Sequence, residues 1–244
     1  DELAALLKAE LTLKPGDAEQ MTAWDPFDQN RYADFFDPEW MFDIKEGFDI
    51  LIGNPPYIKE YTDKSSFEGV RDSKYYQGKM DLWYLFACRG IDLLKMSGFL
   101  CYIATNNWIT NAGASKMRNK VISDTKIIQL VDFGNFMIFE SASIQTMVMI
   151  FEKNKVVDKY RFDFRRLSGN TTKCDSIDLL LKQENSKATY LNPIIYRNQN
   201  LDSLLTFNNT SDDNVLVKIK AQGNFVFDER NEVAQGIVFP QDTL

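Results

Sequence analysis

Ten consecutive residues hold the densest chemistry in this chain: Phe48-Asp49-Ile50-Leu51-Ile52-Gly53-Asn54-Pro55-Pro56-Tyr57. A short apolar run that reads as a buried strand stops at Gly-Asn-Pro-Pro-Tyr. Two consecutive prolines each fix φ, and neither offers an N–H to a sheet ladder. The chain is therefore forced into a stiff, extended loop at the carboxyl end of a strand, the edge at which open α/β sheets bind ligands. That loop holds a side-chain amide, two carbonyls without competing N–H groups and a flat aromatic ring in fixed order. Such a device accepts hydrogen bonds and stacks on a planar ligand.

The surrounding pattern supplies the elements that must hold the loop. Leu3, Leu6, Leu7 and Leu11 fall at roughly helical spacing, and an Asp- and aromatic-rich strap runs from Trp24 to Phe42. After the strand at 48–53, the polar, turn-rich segment 58–79 reads as a mobile lid. Asp81 sits where a helix amino-terminal carboxylate is favourable, the apolar face from Leu82 runs through Met96, and Gly98 reads as the terminator. A second buried strand, 99–104, ends in Thr105-Asn106-Asn107. Thr110 is placed to cap a helix over 112–122. Strands Ile127–Phe133 and Thr146–Phe151 are joined by a segment too short for a crossover helix, so they are expected to be antiparallel neighbours. The order is strand, helix, strand, helix, strand, strand: an α/β sheet closing with an antiparallel hairpin.

Beyond about residue 155 the chain turns to mixed polar strands and turns, with a basic cluster at Arg161, Arg165 and Arg166. Residues 219–244 read as the beginning of a β-rich unit. The expected division is a helix and strap at 1–47, a partial catalytic unit at 48–155, and a connector with the start of a recognition region at 156–244.

Composition excludes several classes. The 244 residues contain no histidine, which removes Ser-His-Asp hydrolysis, Cys-His proteolysis and His-metal nucleases within this chain. Cys88, Cys101 and Cys174 are odd in number and show no paired spacing, so they read as buried cytosolic thiols and not as a zinc site. Apolar runs are broken by charge well before the ~18 residues of a membrane span, so no membrane partner is expected and the chain reads as cytoplasmic. A net charge of −7 argues against a generally basic nucleic-acid coat protein. It leaves room for a DNA enzyme whose basic residues are confined to one cleft.

Three features in order resemble the amino-methyltransferases of DNA restriction–modification systems, nearest to adenine-specific enzymes of the combined restriction–methylation (type IIG-like) kind. The first is the strand with Asn54-Pro55-Pro56-Tyr57. The second is the helix start Asp81-Leu82-Trp83-Tyr84-Leu85-Phe86. The third is Phe139-Glu140-Ser141-Ala142-Ser143-Ile144-Gln145-Thr146, leading into a strand. The resemblance implies the second half of a Rossmann-like S-adenosylmethionine-dependent methyltransferase sheet, ending in the hairpin and followed by a mixed, β-rich region. It further implies methyl transfer from S-adenosylmethionine to a flipped adenine in double-stranded DNA, with no metal and no covalent enzyme intermediate. Asn54 and Pro55 would accept the two amino hydrogens, and Tyr57 and Phe139 would stack on the base. Lys116, Arg118, Lys120, Arg161, Arg165 and Arg166 would be candidate phosphate contacts.

The family pattern also has parts that this chain lacks. No Gly-x-Gly occurs in the sequence, so the glycine loop and the cofactor-binding residues are expected upstream. The chain therefore reads as a fragment, probing whose isolated form should find weak cofactor binding and no activity, and whose open sheet edge could pair with a second copy. Plainer readings stand beside each role: Asn54 as a turn residue before proline, Tyr57 as a loop anchor, Phe139 as core, the cations as solvated surface, and Asp81 as a helix cap and not an acid. Rival functions are methylation of a glutamine side chain or of ribosomal-RNA guanine, and a non-catalytic DNA-binding or assembly fragment. Asn54 in place of serine argues against cytosine amino-methylation, and no cysteine follows a proline to attack a cytosine ring. Asp37 with Asp43-Ile44-Lys45 is only faintly similar to a metal-nuclease site.

Overall fold

A computed structural model of the protein describes residues 37–139, 144–154, 157–168, 175–207 and 210–222. It is an α/β structure built on a six-stranded mixed sheet of order β1-β2-β4-β3-β6-β7. In chain order, α1 is Pro38–Phe42, β1 Phe48–Gly53, α2 Trp83–Leu93, β2 Leu94–Thr105, α3 Ser115–Asp124, β3 Thr125–Asp132 and β4 Thr146–Lys153. Then follow β5 Lys159–Arg161, β6 Asp163–Leu167, α4 Asp175–Leu181, β7 Ala188–Leu191, β8 Ile194–Tyr196, α5 Arg197–Asn200 and α6 Thr210–Gln222. Strands β1 and β2 run parallel, with Gly53 opposite Tyr102. The expected hairpin is present: β4 lies antiparallel to both β3 and β2 and fills the gap between them.

Alternation along the strands sets the two faces. Leu100, Tyr102 and Ala104 of β2 and Met147, Met149 and Phe151 of β4 point to one side and are buried beneath α2 and α3. The buried leucine, methionine and phenylalanine side chains each contribute about 1.5–3 kcal/mol. Gly90 lets α2 lie directly on the sheet, since a Cβ there would meet the Leu100 side chain at 2.6 Å. On the opposite side, Val131, Phe133, Leu167 and Leu180 make a second cluster towards β6 and α4. Towards β1 that side is open: Ile50 is 64% and Ile52 79% exposed, so the strand expected to be buried is covered on one face only.

Other expectations are corrected by packing. Helix α2 ends at Leu93, and Gly98 lies inside β2, not at a helix terminus. Thr110 does not start the helix; it closes the 3-10 turn Asn106–Ile109, its N–H donating to the Asn107 carbonyl. Instead Asn111 caps a short 3-10 turn, its side chain accepting from Gly113 N at 2.9 Å, and α3 starts at Ser115. The segment expected as a mobile lid is a packed element. It carries a 3-10 turn at Ser65–Val70, buries Phe67 completely, and ties Tyr76 and Arg71 to the Glu60 carboxylate. Tyr75 bonds Asp92 of α2 at the loop's other end.

The expected division at residue 155 runs through the sheet, because β6 and β7 continue it through a parallel pairing of β3 with β6. Residues 219–222 lie in α6 rather than in a β-rich unit, and 223–244 lie outside the described residues. The leucine-spaced helix, most of the aromatic strap and Cys174 also lie outside them. Cys88 is buried, which pushes its thiol up to about 12, and Cys101 is half-buried. Among the described residues no helix is long and apolar enough to cross a membrane.

Candidate active site

The Asn54-Pro55-Pro56-Tyr57 loop leaves the carboxyl end of β1 with Asn54 and Pro56 exposed, Pro55 buried and Tyr57 half-buried. Tyr57 Oη lies 2.7 Å from the Ile103 carbonyl oxygen of β2 and hydrogen-bonds the Asn54 side-chain amide. The loop is thereby fastened to the neighbouring strand. Burial, with the Asp81 charge adding to it, pushes the Tyr57 phenol up to about 12, so it stays a hydrogen-bond donor at neutral pH. The ring of Phe139 is 6.4 Å from that of Tyr57, centroid to centroid, at an interplanar angle of 55°. A base held between two rings needs about 7 Å, twice the ~3.4 Å stacking rise of nucleic acid. At this distance and tilt the two rings pack against each other, so a base would have to part them. Residues 140–143, the middle of the segment after Phe139, lie outside the described residues.

Beside Tyr57 is a cavity of about 310 Å³, at the small end of ligand-sized pockets. Tyr57 and Lys59 form one wall, Ile144 and Gln145 another, and Asp81, Thr105, Asn106 and Asn107 a polar floor. The floor is held from behind. Thr105 Oγ1 accepts from Trp83 Nε1 at 2.9 Å and bonds Asn107 Oδ1 at 3.1 Å. Asn106 donates through Nδ2 to the buried Asp132 carboxylate at 3.0 Å, which leaves its own Oδ1 as an acceptor. Asp132 also accepts from Gly134 N at 2.9 Å and pairs with Arg166 Nε at 3.4 Å.

Asp81 is the unusual member. Its backbone bridges antiparallel to Lys59, two residues past Tyr57, and the flanking bonds Leu82 N to Ile58 O (2.8 Å) and Glu60 N to Met80 O (3.0 Å) clamp it there. Gly113 permits the close approach behind it, since a Cβ would meet Lys79 O at 1.9 Å. The side chain is 3% exposed, both carboxylate oxygens are sealed from the surface, and neither makes a well-aligned hydrogen bond among the described residues. Leu82, not Asp81, stands at the amino-terminal cap position of α2, which corrects the sequence expectation, although the first amides of the helix lie against the Asp81 carboxylate. Burial pushes its carboxyl up to about 6, while the nearby amides of Trp83, Leu82 and Ile58 and the Lys59 ammonium oppose that shift.

The basic candidates separate into two groups. Lys116 Nζ bonds the carbonyls of Lys74 (3.0 Å) and Tyr76 (2.6 Å). Arg118 is 3% exposed and its guanidinium bonds the carbonyls of Trp108, Asn111 and Ser203. Lys120 bridges Asp92 and Asp124, both at 2.7 Å. These three hold the fold together, and the buried Arg118 drops out as a phosphate contact. Arg165 is turned onto Asp163 and the Leu181 carbonyl. Arg161 and Arg166 are exposed, the first on Asn192 O at 2.9 Å.

A second cavity, of about 420 Å³, opens between β1 and α2 and is walled by Leu51, Leu82, Leu85 and Phe86. Arg89 is the charged side chain among its described lining residues.

The sequence reading missed Thr105, Asn106, Asn107, Asp132 and the orphaned carboxyl of Asp81. The strand-end rule that marked Asn54 also applies to Thr105-Asn106-Asn107 at the end of β2. Asp81 had no local signal, because its burial comes from pairing with Lys59.

Comparison with known proteins gives the following. The sequence model of the Eco57I restriction-modification methylase family matches residues 4–139. The type II restriction enzyme and methyltransferase RM.Eco57I of Escherichia coli is 30% identical over 112 residues, 43% of this chain and 11% of that protein. The type II methyltransferase M.HincII of Haemophilus influenzae is 25% identical over 119 residues, 47% of this chain and 24% of that protein. The chain thus matches about a tenth to a quarter of the length of these curated relatives. Among solved structures, a type I restriction-modification methyltransferase subunit from Streptococcus thermophilus overlaps with a TM-score of 0.42 at 19% identity, over 62% of this chain and 36% of that one.

Proposed function

Because the chain belongs to the Eco57I restriction-modification methylase family, we propose that the protein transfers a methyl group from S-adenosylmethionine to the N6 amine of an adenine in DNA. The observation that carries this reading is the Asn54-Pro55-Pro56-Tyr57 loop at the carboxyl end of β1. Its amide is exposed, and the Tyr57 ring has the Phe139 ring as its neighbour, 6.4 Å away between centroids.

The lone pair of an exocyclic adenine amine is delocalised into the ring. Acceptors placed on both amino hydrogens draw the nitrogen towards tetrahedral geometry and localise that pair. Asn54 Oδ1 and the Pro55 carbonyl take these two positions. When bound, the cofactor supplies an electrophilic methyl group on a sulfonium. The rest is proximity and orientation. Leu51, Leu82 and Phe86 offer the cofactor an apolar wall.

Extruding the base costs a few kcal/mol. Stacking supplies about 1–3 kcal/mol per base, so the faces of Tyr57 and Phe139 together roughly offset extrusion. Arg161 and Arg166, exposed on the surface, remain as phosphate contacts.

The test is direct. Full-length protein is incubated with DNA from a host lacking adenine methylation and labelled S-adenosylmethionine, and the DNA is digested to nucleosides. Label in N6-methyladenine is expected. Label in N4-methylcytosine, or in protein or RNA with the DNA blank, would overturn the reading.

A further inference from the structure

The side-chain amide of Asn107, on the polar floor of the cavity, is oriented by the direction of the hydrogen bonds behind it. Trp83 Nε1 is a donor only, so Thr105 Oγ1, 2.9 Å away, must accept from it. Thr105 is buried, and its own hydroxyl hydrogen has Asn107 Oδ1 as its acceptor at 3.1 Å. A second chain of bonds ends at the same atom. Gly113 N donates to Asn111 Oδ1 at 2.9 Å, which turns Asn111 Nδ2 onto Tyr84 Oη at 3.2 Å. The Tyr84 hydroxyl, already accepting, passes its hydrogen to Asn107 Oδ1 at 3.4 Å. Turning the Asn107 amide over would set its N–H groups against two hydroxyls and take the acceptor from both of their hydrogens. Oδ1 therefore faces the protein. Asn107 is exposed and lines the cavity, so its Nδ2 is left on the cavity side as a fixed donor.

We propose that Asn107 is a specificity-determining residue whose Nδ2 donates to a ring nitrogen of the target adenine. This rests on the adenine reading given above. Tyr57 connects the two places: its hydroxyl touches Asn54 and the Ile103 carbonyl, and the same side chain walls the cavity. From Ile103 to Thr105, where the floor begins, is about 7 Å along an extended strand. A purine with its amine at Asn54 and a face on the Tyr57 ring therefore carries its ring edge towards that floor. N1, N3 and N7 of adenine carry no hydrogen and accept, so each of them suits a donor. The N1–H of guanine does not, and neither does a C–H in the same place. A site that donates to such a nitrogen discriminates against a base that puts hydrogen there.

The test uses full-length protein, S-adenosylmethionine and duplex DNA carrying the protein's own methylation site, mapped first on DNA lacking adenine methylation. The target adenine is replaced in turn by 1-deaza-, 3-deaza- and 7-deazaadenine, and single-turnover methyl transfer is measured. Wild type should lose about tenfold with one of the three. Asn107→Ala should be about tenfold slower than wild type on adenine and lose nothing more with that same analogue, the coupling expected of two groups in contact. Asn107→Asp keeps an oxygen for the Thr105 and Tyr84 hydroxyls and turns only the cavity-facing atom from donor to acceptor. It should unfold at the wild-type temperature and react more slowly than Asn107→Ala. A wild type that methylates all three analogues at the adenine rate overturns the proposal, and that series decides even where a variant does not fold. An Asn107→Asp rate equal to wild type overturns it as well, and so do losses that simply add for Asn107→Ala with every analogue. Failure of the wild type to methylate adenine in any DNA would instead remove the adenine reading itself.

Discussion

Tyr57 Oη lies between two oxygens, the Asn54 side-chain oxygen and the Ile103 carbonyl oxygen, the latter 2.7 Å away. One hydroxyl hydrogen cannot serve both. Both contacts are satisfied when the Asn54 amide is turned so that Nδ2 donates to Oη while Oη donates to Ile103 O. That orientation frees Asn54 Oδ1 to accept from a ligand, and it makes the tyrosine hydroxyl the group that aims the amide.

Tyr57→Phe keeps the stacking ring and removes the aim. Methyl transfer should fall about tenfold, the loss of one hydrogen bond of about 1.4 kcal/mol. Tyr57→Ala removes the ring as well and should cost a further 1–3 kcal/mol, roughly 5- to 150-fold. Equal rates for the two variants, measured as methyl incorporation into DNA, would contradict a stacking role.

The raised carboxyl of Asp81 has a stability signature. A carboxyl whose folded pKa lies above its unfolded value holds its proton longer in the folded state. Its protonated form is therefore the favourable one, and stability falls as pH rises from about 4 to about 6. The contribution lost is on the order of 2–3 kcal/mol. Asp81→Asn should be more stable than wild type at pH 8 and should lack this fall in thermal unfolding. A variant less stable than wild type at both ends of the range would show that the carboxylate has a partner in the fold.

Phe67→Ala tests the packed loop. Phe67 is fully buried, and truncating such a side chain costs about 3–5 kcal/mol. Chemical denaturation should show that loss for the whole sheet. A variant with wild-type stability and a protease-sensitive 58–79 segment would restore the lid.

The cations divide by function in salt titrations of DNA binding. Arg161→Ala and Arg166→Ala should each lower the slope of log K against log salt by about 1, with weaker binding at every sequence. Arg118→Ala should leave the slope unchanged and destabilise the fold by about 3 kcal/mol, since three carbonyls lose their donor.

Much of this was legible in the sequence because it is local. The double proline fixed the loop at the end of β1, and the short link before Thr146 announced the hairpin of β3 and β4. What escaped depends on contacts distant in sequence. Arg118 sits on a polar helix face and reads as a surface cation, yet its partner Ser203 lies 85 residues away. The polar residues of 58–79 read as loop, but Glu60 and Asp92 are the anchors that fix it. Asp81 looks like a cap in its own segment, and is buried only where its backbone bridges to Lys59.

The central claim is that Asn54 holds the acceptor amine. Its most direct test is methyl incorporation into DNA by full-length Asn54→Ala beside wild type, with thermal unfolding as the control for folding. Asn54 is exposed, so the variant should unfold at the wild-type temperature while its methyl transfer falls at least 10²-fold, as when one preorganised polar group is removed from a reacting centre. A folded Asn54→Ala protein that methylates DNA at the wild-type rate would contradict the account.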